Sequence, residues 1–265
     1  MAKQFPYIGN SEIEQEAILE YLGIKSAEEL FIDIPKEYRD SNLSEIPSNI
    51  SEMQLVEHLT QLSEKNINPN PSKSFIGAGA YHHYIPSTVL SLAQRGEYLT
   101  SYTPYQAEVS QGTLQVTYEL QSLVSELYGM DVANAGMYEG GSSLAEAALM
   151  ACRVKNIYKI VCSSTIAPRY KEVLRSYLAP QSIEIIFMDT NDIDMGKDEY
   201  ACLIVQHPNF YGSIEDMGYL SNTAHKSNAL FVVSADPLAA VMYKPPGDYG
   251  ADIVVGEGQR LGIPI

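Results

Sequence analysis

Four stretches of this chain set polar, glycine-bearing residues directly behind an apolar run, where loops of α/β proteins hold their chemistry. The first is Tyr138-Glu139-Gly140-Gly141-Ser142-Ser143-Leu144-Ala145-Glu146. Its glycines let the backbone approach a ligand and its serines supply hydroxyls. A helix opening there would add free N–H groups and a positive dipole end, which together make a phosphate cradle. The same residues also read as a plain helix start, with Ser142 or Ser143 as N-cap and Glu146 three residues after Ser143. The second stretch, Gln206-His207-Pro208-Asn209-Phe210-Tyr211-Gly212, follows the run ACLIV; His207 or Asn209 could face a ligand or serve the turn. The third, Phe231-Val232-Val233-Ser234-Ala235-Asp236-Pro237, ends on an aspartate that could hold a protonated ring nitrogen, bind a metal or cap the next turn. The fourth is DIVVGEGQRLGIPI, a short apolar strand followed by the loop Gly256-Glu257-Gly258-Gln259-Arg260-Leu261-Gly262.

The elements that must position these loops follow from periodicity. Apolar runs YKIVCSS, IEIIFMD, ACLIVQ, LFVVSAD and ADIVV, with DVANAG before them, read as strands. Between them the stretches SSLAEAALMACRV, PRYKEVLRSYL and MGYLSNTAHK read as amphipathic helices. Near-continuous apolar strands alternating with such helices predict an α/β fold: a mostly parallel sheet between helix layers. Upstream, Pro86 is expected to start a helix that Gly96 closes, and Ser110 to cap a longer one ended by Gly129. The first 65 residues carry capping-box signals at Ser11-Glu14, Ser26-Glu29 and Ser51-Gln54, with Gly23 as a helix stop. Apolar residues Ile13, Ala17, Ile18 and Leu22 mark a helix face that packs on something. The proline-bearing linkers DIPKEYRD and NPNPSKS break the helices. Residues 1–70 therefore read as an N-terminal helical arm and 71–265 as the large domain.

Composition narrows the function classes. The chain has 265 residues, 45% of them apolar, enough to bury a sizeable core. A net charge of −16, from 33 acids against 17 bases, argues against nucleic-acid or anionic-membrane partners. The three cysteines, Cys152, Cys162 and Cys202, show no zinc spacing, so no metal site is expected and a reduced, cytoplasmic setting fits. No stretch approaches the roughly 18 apolar residues of a membrane span.

The order of these motifs resembles the large domain of fold-type-I pyridoxal-phosphate enzymes. In that group the first turn (here Gly141, Ser142, Ser143) holds the phosphate, the strand-end aspartate (Asp236) pairs with the pyridinium nitrogen, and the last loop carries a Schiff-base lysine. Longer stretches are similar to the glycine cleavage P protein: Ser74 to Pro86 (SFIGAGAYHHYIP), Tyr102 to Gln106 running into Glu108 to Gln115, Met130 to Ala135, and Asp252 to Gly262. The resemblance covers nearly the whole chain and points to the subunit 1, or alpha-chain, branch of the two-chain enzymes. Those enzymes decarboxylate glycine and pass the aminomethyl group to the lipoyl arm of the H protein. The fold-type-I plan continues past the lysine strand, so the resemblance implies a chain cut before its C-terminal domain.

The chemistry implied by the resemblance needs a lysine amine in the last loop. Gln259 and Arg260 stand there instead, with Arg260 at the lysine-like position, and the nearest lysine, Lys244, lies outside the motif. A guanidinium stays protonated and is no amine nucleophile. The resemblance then implies a non-Schiff-base subunit, with pyridoxal phosphate on a lysine-bearing beta chain in a heterotetramer. Carried over, the contributors to the joint site are Tyr102, Tyr105 and Gln106, the turn Ser110, Gln111 and Gly112, and, more weakly, His82, His83 and Tyr84; interface or core packing is the alternative for each. The family pattern has Tyr-Asp or a similar pair at His82-His83 and proline at Arg260. Two other readings stand beside this one: a catalytically silent scaffold or dimerisation subunit, and a self-sufficient cofactor enzyme.

Overall fold

The computed structural model describes residues 9–39, 49–67, 75, 77, 79–196 and 199–265. The linker NPNPSKS (68–74), part of the GAGA stretch and the end of DIPKEYRD lie outside them. The chain divides into two units, Met1–Asn68 and Pro69–Ile265.

In the first unit, α1 (Glu12–Leu22) and α2 (Glu52–Glu64) each begin with the capping box read from sequence. Ser11 and Ser51 accept from the third backbone N–H of their helices, whose Glu14 and Gln54 side chains reach back to the cap. Gly23 closes α1 in the left-handed conformation, with φ 70°. Ser26 does not open an α-helix: Ala27–Phe31 is a 3-10 helix without a side-chain cap bond. Pro35 follows too closely for a regular helix to grow there. The packed face expected for α1 is not buried either; Ile13, Ala17, Ile18 and Leu22 are exposed. Among the described residues of this unit, the two α-helices and two 3-10 helices hold no buried residue.

The second unit begins its regular structure with α3 (Ser87–Ala93), α4 (Gly96–Leu99) and α5 (Gln111–Tyr128). Gly96 opens α4 and does not close α3, which ends at Ala93 with Gln94 as its C-cap. Ser110 precedes α5 without a side-chain cap bond, while Gly129 ends it at φ 67° as expected. A Cβ on Gly247 would collide with the Gly129 carbonyl, so that glycine lets the 246–249 turn close against the end of α5. The stretch DVANAG is not a strand. Its Ala133 carbonyl accepts from the Gln121 side chain at 2.6 Å, and Gly136 adopts φ 151°, outside the extended range.

The remainder alternates as read: α6 (Gly140–Lys155), β1 (Lys159–Ser163), α7 (Pro168–Leu178), β2 (Glu184–Met188), β3 (Cys202–His207), α8 (Met217–Lys226), β4 (Leu230–Ala235), α9 (Pro237–Met242) and β5 (Ile253–Val255). All five strands pair in parallel in the order β2-β1-β3-β4-β5. Side chains alternate across the sheet. Ile160, Cys162, Ile204 and Val232 join Leu144, Ala148, Leu174 and Leu178 in one core, while Val161, Leu203, Val205, Phe231 and Val233 join Met217, Leu220 and Tyr128 in the other. Burial on both faces is why the strands read as continuous apolar runs. The three cysteines are free and buried, with burial first among the causes raising their thiol pKa values, so they act as small hydrophobes. No described helix is long and apolar enough to cross a membrane.

Leu174 is fully buried, so Leu174→Ala is expected to cost about 2–5 kcal/mol in urea unfolding. Leu123→Ala, at an exposed position of α5, is expected to stay within about 0.5 kcal/mol of the parent chain.

Candidate functional site

Because the sheet is parallel, β3, β4 and β5 deliver their following loops to one edge. His207 ends β3 opposite Ala235 of β4, and its carbonyl accepts from the Asp236 N–H at 3.2 Å. Asp236 caps α9: Oδ1 accepts from the N–H groups of Leu238 at 2.9 Å and Ala239 at 3.2 Å. Its other oxygen, Oδ2, lies 2.9 Å from Nε of Arg260, and both side chains are mostly shielded, 20% and 28% exposed. The approach is off the N–H axis, so the contact is an ion pair without an aligned hydrogen bond. The Arg260 guanidinium also stacks over Tyr81, 4.2 Å from the ring centroid. Its neighbour Gln259 brackets Tyr81 with two long contacts, accepting from the backbone N–H and donating to the carbonyl, each at 3.4 Å.

The start of α6 faces the same edge. Glu139, not Ser142 or Ser143, is its N-cap, and the two glycines form the first helical turn and are no separate loop. The Glu139 carboxylate accepts from the N–H groups of Gly141 and Ser142, both at 2.6 Å. Glu257, from the loop after β5, accepts from the Gly140 N–H at 2.8 Å. The serine hydroxyls turn back and donate to the Glu139 carbonyl at 3.2 and 2.7 Å. Both glycines are required here, since a Cβ on Gly140 would strike the Tyr170 hydroxyl and one on Gly141 would press on Glu139 and Tyr170. Gly256 is similarly fixed: its Cβ would collide with the Tyr128 hydroxyl, which donates to the Ala235 carbonyl at 3.2 Å.

The electrostatics follow this arrangement. Burial, with Glu257, Glu139 and Tyr81 nearby, pushes the Tyr170 phenol up to about 12, and burial with Asp236 raises Tyr128. Both phenols therefore stay neutral donors. Burial works to raise the Glu139 carboxyl, but hydrogen bonds from Ser142 and Gly141 outweigh it and hold the carboxyl below its usual value. His207 is buried, its pKa lowered by desolvation, and neither ring nitrogen has a hydrogen-bond partner among the described residues. Asn209 serves its turn, accepting from Tyr211 and Ser213 and donating to Glu215. Among the described residues, no group of three His, Cys, Asp or Glu side chains could hold a metal.

The structure thus gathers Gly141, Ser142, Ser143, His207, Asp236 and Arg260 along one edge of the sheet. The remaining sequence candidates are not drawn into that ion-paired cluster. Tyr102 and Tyr105 are 87% and 89% exposed. Gln106 is exposed in the same segment, and Gln111 and Gly112 are exposed in the first turn of α5. His82 is exposed, while half-buried His83 sets Nδ1 3.1 Å from the Tyr81 carbonyl. Residue-by-residue reading missed Glu139, Glu257, Tyr81 and Tyr170. The local signal for Glu139 was an acid directly before the glycine pair; nothing local marks its partner 117 residues away in sequence at Gly140, Glu257.

Glu139→Ala is expected to lower stability by about 0.5–2 kcal/mol at neutral pH through loss of the cap. With the folded carboxyl below its usual 4.5, its contribution is complete above that value and is lost as pH falls through the folded pKa. Urea melts over a pH series should therefore show the variant's deficit shrinking on the acid side.

Comparison with known proteins agrees with this layout. The family described as "Glycine cleavage system P-protein" matches residues 6–265. "Probable glycine dehydrogenase (decarboxylating) subunit 1" of Desulforamulus reducens is 45% identical over 98% of this chain, and its counterpart in Thermotoga maritima is 43% identical over 98%. A solved structure of glycine decarboxylase (P-protein) of the glycine cleavage system, in inhibitor-bound form, superposes with TM-score 0.88 at 40% identity over 98% of the chain. This chain spans 60% of the length of each of these relatives. A second structure, SspA in complex with cysteine, shares the fold at 13% identity and TM-score 0.51. The parallel sheet and its helix layers are those of the fold-type-I large domain, as the sequence reading expected. With the match running through all but its first five residues, the chain belongs to the glycine cleavage system P-protein family.

Proposed function

We infer that this chain is the non-Schiff-base subunit of a glycine cleavage P protein. In this reading a lysine-bearing beta chain holds pyridoxal phosphate. The cytoplasmic assembly decarboxylates glycine and transfers the aminomethyl group to the lipoylated H protein. Arg260 is the observation that carries the reading. It stands in the loop after β5 that a Schiff-base lysine would occupy, and its charge is held against Asp236. A guanidinium that keeps its proton cannot attack an aldehyde as an amine does.

The residues here do not fit the cofactor. Its phosphate would need the N–H groups at the start of α6, and Glu139 and Glu257 already accept from them. Its ring nitrogen would need Asp236, which Arg260 pairs. The chain's contribution then falls to groups it leaves accessible to a partner: the phenols of Tyr102 and Tyr105, the amide of Gln106, and Ser110, Gln111 and Gly112 where α5 begins. Phenols and amides donate hydrogen bonds without adding charge, which suits recognition of a substrate carboxylate. His82 and His83 stand as secondary contributors.

Mixing this chain with a lysine-bearing homologue is expected to give glycine–CO2 exchange that neither chain alone supports. In the mixture, Tyr105→Phe should depress turnover by about ten- to a hundredfold, the value of a hydrogen bond to a charged group, with co-purification unchanged. Unchanged turnover across substitutions at Tyr102, Tyr105 and Gln106 would instead assign the chain a scaffold role.

A further inference from the structure

The edge that holds Arg260 is charged in a pattern that the proposed reaction does not use. A helix start leaves its first N–H groups without partners inside the helix, and its dipole favours an anion there. In this chain three consecutive N–H groups, from Gly140 to Ser142, are taken by two of the protein's own carboxylates at 2.6–2.8 Å. At the end of β4, Asp236 is taken by the chain's own cation, Arg260, at 2.9 Å. Glu257 and Arg260 come from one loop, only three residues apart, so a single segment reaches both places. An aromatic side chain lies against each half: the Tyr81 ring beneath the Arg260 guanidinium, and the Tyr170 hydroxyl against Gly140.

The geometry points to an internal ionic lock, in which Glu139 and Glu257 occupy the anion place of the strand-end site and Arg260 its cation place, closing it to phosphate-bearing ligands. The inference rests on the reading above for what the site would otherwise take. It adds that exclusion is built from charge and does not depend on the missing lysine alone. A phosphate dianion approaching α6 meets two carboxylates where it needs donors. A pyridine nitrogen approaching Asp236 meets a guanidinium already in contact. Restoring a lysine at position 260 would therefore leave the phosphate place blocked by Glu139 and Glu257.

Thermal unfolding of the full chain in inorganic phosphate, against chloride at matched ionic strength, tests the lock. The parent chain is expected to show no saturable rise in Tm with phosphate. The variant Glu139→Ser/Glu257→Ala keeps a capping oxygen on α6 but frees N–H groups, and its Tm should climb by about 2–4 °C with saturation. A parent chain that rises as much as the variant, or a folded variant that stays flat, overturns the lock. If the double variant is too unstable to melt cooperatively, the cation half decides. Asp236→Asn keeps an acceptor for the α9 cap while leaving the guanidinium unpaired. Adding Arg260→Leu to it should raise the melting temperature above that of Asp236→Asn alone. Simply additive losses would overturn the lock. None of these melts reads activity, so the lock can fail while the exchange assay succeeds, and the reverse.

Discussion

A parallel sheet buried on both faces leaves polar chemistry one outlet, the edge where its strands end. In this chain the interior of the sheet is mainly apolar, from Ile160 and Cys162 on one side to Phe231 and Val233 on the other. His207, Asp236 and the loop from Gly256 to Gly262 therefore emerge together although they lie far apart in sequence. The start of α6 is drawn to the same edge through the Glu257 carboxylate on Gly140. Every feature of the candidate site depends on that constraint.

Once gathered, the groups must satisfy one another. Helix-start N–H groups, a strand-end carboxylate and a guanidinium are each costly to leave unpaired in a partly shielded place. Glu139 and Glu257 answer the first, and Arg260 with Asp236 answers the other two. Neutral phenols at Tyr170 and Tyr128 lie against Gly140 and Gly256 without adding charge. The result is an edge whose charges are paired within the chain, with the His207 ring left without a hydrogen-bond partner among the described residues, which accords with the proposed non-Schiff-base role.

Much of this was legible in the sequence, because the signals were local. α7 and α8 run over the stretches PRYKEVLRSYL and MGYLSNTAHK, where periodicity and flanking residues agree. The five strands were readable as apolar runs because both sheet faces are buried. DVANAG misled because small residues next to a strand pattern look extended until the lack of a pairing neighbour is known. Arg260 and Asp236 were each singled out by residue type and place, yet their pairing appears only when β4 and β5 lie side by side. Glu139 was overshadowed as a cap by the serines that follow it, since serine is the commoner N-cap.

We infer that this chain does not carry the cofactor as an imine. The test incubates the chain, alone and with a lysine-bearing homologue as partner, with pyridoxal phosphate, reduces with borohydride and locates the adduct by peptide mass. The predicted result is a stoichiometric adduct on the partner and none on this chain. A stoichiometric adduct on any single lysine of this chain would contradict it.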